Sequence, residues 1–457
     1  MEMKQNELKG SKSVAVLSAN PDAALQAIIY LINKGIIVIP LDNLLSGRKI
    51  ASYLEAVGCS EIVTDGNLPS DFDSNCRISN ISEIDSDEKP GMNSHIIRDI
   101  FYDFESARHR KTTIIFTSGS TNTPKAVLHT LENHYYSSLG SNENIKFGKE
   151  DKWLIVLPLY HISGISVIFR AALSGGKIAI KEKEMDIAEA LRRNKPTHIS
   201  LVPHQLNQLL DDGKNVDILR KMKAILLGGA GVPVPLIEQS FEYGLNLFVS
   251  YGSTEMCSQI TCTKSRDTLK HLRTSGCLLG YREIKINEKG NILVKGKTLF
   301  AGYIIRNDQD NNLMLKRELD NEGYFNTGDN GFLDYEGYLH VVGRKDTSFK
   351  FKAEKIYPEE IEKIFSKIKG VHEAIVVPYK KNDYEKIPVI FLKIDDQCKE
   401  NFKFIKEKAK DELEPYKFPR YFLKWPYNFH VLKPPRKEME KTAQEIIRNA
   451  LNEKMFD

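Results

Sequence analysis

A chain of 457 residues, 41% hydrophobic and 28% charged, is too long for one ordinary core and too polar for a membrane bundle. Its 65 basic and 61 acidic residues leave a formal charge of +4, too nearly balanced to point to nucleic acid. Cys59, Cys76, Cys257, Cys262, Cys277 and Cys398 form no C-x-x-C pair and no zinc spacing. This excludes a disulfide scaffold and a zinc module, and reduced thiols in a cytoplasmic protein are expected. Met1 to Ser13 is polar, without the apolar segment of a signal peptide. The longest apolar stretches, Ala23–Leu41 and Trp153–Phe169, are broken by Asn33, Lys34 and Gly35 and by Pro158 and His161, so no membrane span is predicted.

In chain order, Ser13–Leu17 predicts a strand. Asn20-Pro21-Asp22 predicts a helix start with Pro in its first turn, running to about Lys34 and stopping at Gly35. Ile36–Leu41 reads as a buried strand, Leu45 to Val57 as a helix and Glu61–Asp65 as a strand. Asn67 to Asn93 is polar and acidic and predicts a variable loop. The β-branched and aromatic run Thr112–Phe116 predicts another buried strand. It is followed abruptly by Thr117-Ser118-Gly119-Ser120-Thr121-Asn122-Thr123-Pro124-Lys125, which holds five hydroxyls, a Gly and a Lys. Hydroxyls and backbone N–H groups donate, Gly admits close approach and Lys adds a mobile charge. A strand feeding such a loop suits a polyphosphate, although the same composition makes a polar turn. The Walker A spacing is absent.

A helix is predicted from Thr130 to about Leu139. Strands follow at Leu154–Leu157, Lys177–Ile180, His198–Val202, Ala224–Leu227 and Leu247–Ser250. This alternation predicts an α/β fold with doubly wound parallel sheets, in which ligands gather at strand ends. From about Gly276 the texture changes to short strands with Gly/Asn turns, at Glu283–Ile286, Asn291–Lys295 and Tyr338–Val342. They predict a small antiparallel or barrel-like subdomain. Gly343-Arg344-Lys345-Asp346 punctuates the chain, and the Lys/Glu-rich remainder reads as a small α+β domain.

Several polar groups sit where strands end. His161, in Pro158-Leu159-Tyr160-His161-Ile162-Ser163-Gly164, is suited to orient a carboxylate or stack beside an acyl group, or simply to cap a helix. Gly228-Gly229-Ala230 admits a flat ligand or makes a tight turn. In Tyr251-Gly252-Ser253-Thr254-Glu255, the ring suits a purine, the Thr a phosphate oxygen, and the Glu a Mg2+ held with phosphates. Asp329, in Thr327-Gly328-Asp329, suits ribose hydroxyls. Arg344 suits the same ribose or the α-phosphate.

Taken in this order, these segments resemble successive motifs of the AMP-forming adenylating enzymes, which include acyl-CoA synthetases, peptide-synthetase adenylation domains and luciferases. The resemblance covers roughly residues 13 to 441. Asn122 stands where the family usually has Gly, and Asn tolerates a left-handed backbone better than most residues. The resemblance implies a large N-terminal AMP-binding domain over residues 1–343, with adenylation site and acyl pocket. It also implies a small mobile domain over 344–457 that rotates about a hinge near Asp346 between two half-reactions. It implies that Thr117, Ser118, Gly119, Ser120, Thr121 and Lys125 hold the ATP β- and γ-phosphates. Gly229, Ala230 and Tyr251 would form the adenine slot, Thr254 would touch the α-phosphate, Glu255 would bind Mg2+, and Asp329 and Arg344 would grip ribose. A lysine five residues after a Pro-Arg pair, here Lys441 after Pro435-Arg436, would stabilise the transition state, with Lys437 as its rival. Phe351-Lys352-Ala353-Glu354-Lys355 replaces the family's Gly-Gly-Glu-Asn, in the loop that normally swings toward the thiol acceptor.

Local wording narrows this further. Pro158–Gly164, Ser200–Pro203 with Gln205-Leu206, Leu226–Ala230 and Tyr251–Gln259 are most similar to the branch that joins 2-succinylbenzoate to CoA in menaquinone synthesis. In that branch His161, Ser163, His204 and Gly228 would lie near the acid, and His204 stands where Thr is common. The expectation is therefore a cytoplasmic, Mg2+-dependent ligase using ATP, a carboxylic acid and CoA, with no nucleic acid and no membrane span. The alternatives are a ligase of the same fold for another aryl or fatty acid, and a catalytically degenerate nucleotide-binding homologue.

Overall fold

The computed structural model describes residues 12–66, 68–83, 99–117, 125–211, 213–307, 312–344, 347–351, 354–368, 370–381, 386–394, 402–410, 412–426 and 436–452. The chain begins with β1 (Ser13–Leu17), β2 (Ile37–Pro40), β3 (Glu61–Thr64), β4 (Arg77–Asn80), β5 (Lys111–Thr117) and β6 (Lys125–Thr130). Between β1 and β2 runs the helix Pro21–Asn33. The Asn20 side chain caps it by accepting from the backbone N–H of Asp22 and Ala23. Its buried Leu25, Ile28, Ile29 and Ile32 follow helical spacing, each stabilising by roughly 1.5–3 kcal/mol.

β7 (Lys152–Ile155), β8 (Lys177–Ile180), β9 (His198–Leu201), β10 (Ala224–Leu227), β11 (Leu247–Ser253), β12 (Ser258–Cys262) and β13 (Cys277–Leu278) form the second sheet, in the order 13-12-11-10-9-7-8. Next come β14 (Arg282–Ile286), β15 (Asn291–Gly296), β16 (Gly302–Arg306), β17 (Leu313–Lys316), β18 (Phe325–Leu333) and β19 (Leu339–Arg344). β14, β15, β18 and β19 make a four-stranded antiparallel sheet. β16 and β17 instead complete the first sheet, in the order 17-16-6-5-2-1-3-4.

The parallel expectation holds for the centres of the two large sheets. β5, β2, β1, β3 and β4 run parallel, as do β8, β7, β9, β10 and β11. Both sheets carry antiparallel edges, because β5 returns as β6 in a hairpin that pairs Thr117 with Lys125, and β11 returns as β12. Two boundaries need correction. Part of the presumed loop Asn67–Asn93 is β4, which is paired to β3 but mostly exposed, so its sequence carries no apolar run. The helix placed at Thr130 to Leu139 spans Leu131–Ile145. It passes through Gly140, which is there for close packing rather than as a stop: a Cβ would lie 2.5 Å from Nη1 of Arg282.

The Pro21–Asn33 helix packs with Trp153, Ile165, Phe169 and Phe248 in one core beside the two large sheets. A separate core contains only residues between Phe349 and Ile447. It is built on β20 (Phe349–Phe351), β21 (Glu354–Ile356), β22 (Val371–Lys380), β23 (Lys386–Ile394), β24 (Tyr421–Lys424) and the helices Pro358–Phe365, Phe402–Lys410 and Arg436–Asn452. Among the described residues, no helix is long and apolar enough to cross a membrane.

Candidate active site

The site assembles where β5, β10 and β11 end and β6 begins. Thr117 closes β5 and faces Lys125 at the start of β6. Ser118, Gly119, Ser120 and Thr121 lie outside the described residues, as does Asp346. The exposed Lys125 ammonium sits 4.8 Å from the centre of the Tyr303 ring. The Tyr303 hydroxyl, from β16, donates to Oε1 of Glu255 at 2.6 Å. Burial and the Glu255 carboxylate push that phenol far above its ordinary range, so it acts as a donor. Lys125 and Glu255 thus meet through one tyrosine.

Glu255 lies on a short turn, Thr254–Met256, between β11 and β12. The turn is crowded: a Cβ on Gly252 would fall 1.9 Å from the Ser258 carbonyl oxygen, so only Gly lets the two strands close here. Cys257 and Ser258 have φ of 53° and 101°, conformations that L side chains rarely adopt. The turn is also tied from behind. His129 of β6 contacts the Thr254 carbonyl through Nε2 at 2.7 Å, and Ser137 Oγ donates to the Cys257 carbonyl at 2.5 Å.

Four residues before Glu255, the Tyr251 hydroxyl donates to Oδ2 of Asp329 at 2.6 Å. Arg344 pairs with Asp329 across β18 and β19, with Nη1 3.7 Å from Oδ1. Burial and then the Asp329 carboxylate raise the Tyr251 phenol well above its usual range. Gly228 is half-buried, and Gly229 and Ala230 are exposed beside β10. Ser250 Oγ holds β11 to β10 there through the Leu227 carbonyl at 3.2 Å.

His161 is exposed at the N-cap of the helix Ile162–Ser174, its ring 4.7 Å from that of Tyr160. Ser163 is half-buried in the first turn. His204 lies in the first turn of the helix Pro203–Leu210, with Nδ1 3.6 Å from Oε1 of Glu373 on β22. Lys441 is exposed, on the face of its helix away from the buried Met439, Ala443 and Ile447. No hydrogen bond or ion pair joins Lys441 to another described residue. Lys437 is exposed one turn earlier. The structure therefore joins Lys125 to Glu255 through Tyr303, and Tyr251 and Arg344 to Asp329.

Sequence reasoning missed Tyr303, His129 and, most notably, Arg170. Arg170 lies in the helix begun by His161 and is 1% exposed. Its Nη2 donates to Oε1 of Gln259 at 3.0 Å, and its guanidinium lies 4.9 Å from the Trp153 ring centre. Its Nη1 and Nε2 of Gln259 are buried without a hydrogen-bond partner among the described residues. Burial lowers the guanidinium to about 10. The available signal was a lone charge inside the apolar run Ile165–Ala172.

Strand-end glycines beside the carboxylates of Glu255 and Asp329 and the cations of Lys125 and Arg344 are the chemistry of a nucleotide-handling enzyme. Residues 3–304 match the AMP-binding enzyme family, and the chain belongs to it. A 2-succinylbenzoate–CoA ligase of Bacillus pumilus is 29% identical over 460 residues, covering 98% of this chain and 87% of the relative. The o-succinylbenzoate CoA synthetase of Bacillus subtilis, in complex with its acyl-adenylate intermediate, is similar with a TM-score of 0.78 and 27% identity, over 94% of this chain and 88% of that one. The same enzyme in complex with ATP and magnesium ion gives a TM-score of 0.77 at 27% identity, over 94% and 89%.

Proposed function

We propose that this chain is a cytoplasmic ATP-dependent acid–CoA ligase that converts 2-succinylbenzoate to its CoA thioester for menaquinone synthesis. The meeting of Lys125, Tyr303 and Glu255 at the mouth of the hydroxyl loop carries this reading. In the first half-reaction a carboxylate oxygen attacks the α-phosphorus of ATP, and the bond to pyrophosphate breaks. In the second, the CoA sulfur attacks the acyl carbonyl and AMP leaves. Thr117, Lys125 and the loop 118–121 would hold the β- and γ-phosphates. Thr254 would meet the α-phosphate, Gly229, Ala230 and Tyr251 the adenine, and Asp329 and Arg344 the ribose.

The donor set suits Mg2+. Oε1 of Glu255 already accepts from Tyr303, which orients the second oxygen for a hard cation. No group of three or more His, Cys, Asp or Glu that could hold a metal occurs among the described residues. That fits an ion shared with substrate phosphates rather than caged by protein. When bound, Mg2+ would offset charge on the phosphate oxygens. Lys441 would offset the charge that develops between carboxylate and α-phosphate. It would reach the site by rotation of residues 344–457 against 1–343 about Asp346, a division supported by the independent core of the C-terminal part.

His161, Ser163, His204 and Gly228 would line the acid. 2-Succinylbenzoate carries a second carboxylate beyond the one that reacts. Arg170 and Gln259 supply two buried donors without partners among the described residues, a chemistry suited to that group.

The test is pyrophosphate release with ATP, Mg2+ and a panel of aryl and fatty acids, with and without CoA. Release with 2-succinylbenzoate, and thioester once CoA is added, is the expected result. Release only with another acid would overturn the substrate. Pyrophosphate without thioester would overturn the CoA step and point to the altered 351–355 loop. ATP binding without release across the panel would leave a degenerate nucleotide-binding protein.

A further inference from the structure

Behind Glu255 runs a chain of buried polar groups that begins and ends on the same turn. The Thr254 carbonyl can only accept, so His129 donates to it from Nε2 at 2.7 Å. Burial holds His129 neutral, near a value of about 4, so its Nδ1 is an acceptor. The hydroxyl of Thr113, 3.3 Å away on β5, fills that role as donor. Thr113 Oγ1 in turn lies 2.8 Å from Nε2 of His134, which therefore carries a proton. The remaining nitrogen of His134, Nδ1, is then an acceptor and lies 3.2 Å from Sγ of Cys257, whose S–H is the available donor. His134 is itself clamped face to face on Phe169, with ring centres 3.7 Å apart.

Each proton has one position along this chain, from the Cys257 thiol to the Thr254 carbonyl. Both ends lie on the turn that presents Glu255, and Cys257 is one of its two strained residues. We propose that Thr113 and His129 are positioning residues for Glu255: the chain holds the strained turn from its buried side and so sets where the carboxylate stands for Mg2+. This rests on the assignment of Glu255 as the metal-binding carboxylate.

The test uses Thr113→Val, which keeps the shape and removes the hydroxyl, beside Thr113→Ser, which keeps the hydroxyl. Mn2+ binding is read by electron paramagnetic resonance in the presence of a non-hydrolysable ATP analogue. Binding of the metal-free analogue is read by calorimetry, and the Mg2+ concentration for half-maximal pyrophosphate release is measured in parallel. Thr113→Val should weaken Mn2+ binding by about tenfold, the scale of lost support behind a metal ligand, and raise the Mg2+ requirement equally. Metal-free nucleotide binding should not move, and Thr113→Ser should stay within about twofold of wild type.

Unchanged Mn2+ binding in Thr113→Val, or an equal loss in Thr113→Ser, overturns the proposal. If Thr113→Val does not fold, Cys257→Ala removes the donor at the other end, and wild-type Mn2+ binding there overturns it equally. Glu255→Gln separates the two levels. If it loses Mn2+ while Thr113→Val does not, only the positioning role fails. If it binds Mn2+ like wild type, the assignment of Glu255 fails and takes the proposal with it.

Discussion

Replacing Arg170 by Met separates a role toward substrate from a role in the core. The change removes the hydrogen bond to Gln259 at 3.0 Å and the stacking on Trp153 at 4.9 Å. Those losses are roughly 1.5–3 and about 2 kcal/mol. Against them stands the desolvation of a guanidinium whose Nη1 has no partner among the described residues, several kcal/mol that Met does not incur. Oε1 of Gln259 is not orphaned, since Ser141 Oγ still donates to it at 2.8 Å. The folded protein should therefore lose no more than about 1 kcal/mol, or gain. The substrate loses more. A buried charge pair broken on one side costs about 2–5 kcal/mol, so KM for 2-succinylbenzoate should rise by about 30-fold or more. An aryl acid without the second carboxylate should show an unchanged KM. Steady-state pyrophosphate release with both acids, together with thermal unfolding, makes the comparison. A steep loss of Tm with both KM values unchanged would show Arg170 to be a core residue and refute the reasoning.

Tyr303→Phe keeps the ring under Lys125 and removes the donor to Glu255, a bond of roughly 1.5–3 kcal/mol. The Mg2+ requirement should rise by about tenfold while acid KM holds, read by varying Mg2+ at saturating ATP. Lys441→Ala should slow adenylation by about 100-fold or more, measured by pyrophosphate exchange. Equal activity in that variant, with the loss found in Lys437→Ala instead, would move the catalytic role one turn up the helix. His271 gives a pH dependence. Burial alone would lower it, but hydrogen bonds to Asp267 at 2.6 Å and Glu336 at 3.2 Å outweigh this and raise it. Its contribution to stability is then complete below the unfolded value of about 6.5 and is lost as pH rises through the raised folded value. Urea midpoints across pH 5.5–9 should fall more steeply in wild type than in His271→Asn, and parallel curves would contradict this.

Much of the architecture was legible because its signals are local. β8 and β10 have the bounds expected from their short runs, Lys177–Ile180 and Ala224–Leu227, and Asn20 caps where Ser/Asn/Asp chemistry says it should. The edges were not legible. β4 is exposed along most of its length, and β16 and β17 join the first sheet from far along the chain, so no short pattern announces them. The site divides the same way. Residues proposed to meet a ligand stand in short motifs, and the roles proposed for Thr254, Glu255 and Asp329 follow from side-chain type. Those of residues that meet only other protein groups do not. Tyr303 reaches Glu255 from 48 positions away, and Thr113 reads as one more β-branched strand residue. Arg170 was hidden for a different reason: its one signal, a lone charge among apolar helix neighbours, does not say whether that charge faces inward.

The cramped crossing of Gly252 under Ser258, with Cys257 and Ser258 at positive φ, bears on how this enzyme can change. Any side chain at 252 collides with backbone, and any insertion between 252 and 259 would displace Glu255 with it. This segment therefore has almost no freedom to drift or to be redesigned. His161, exposed at the mouth of its helix, and His204, at the end of another, have that freedom. Attempts to alter the acid accepted should randomise those two positions and leave 252–259 untouched, so that new specificities arise on a nucleotide chemistry that stays as it is.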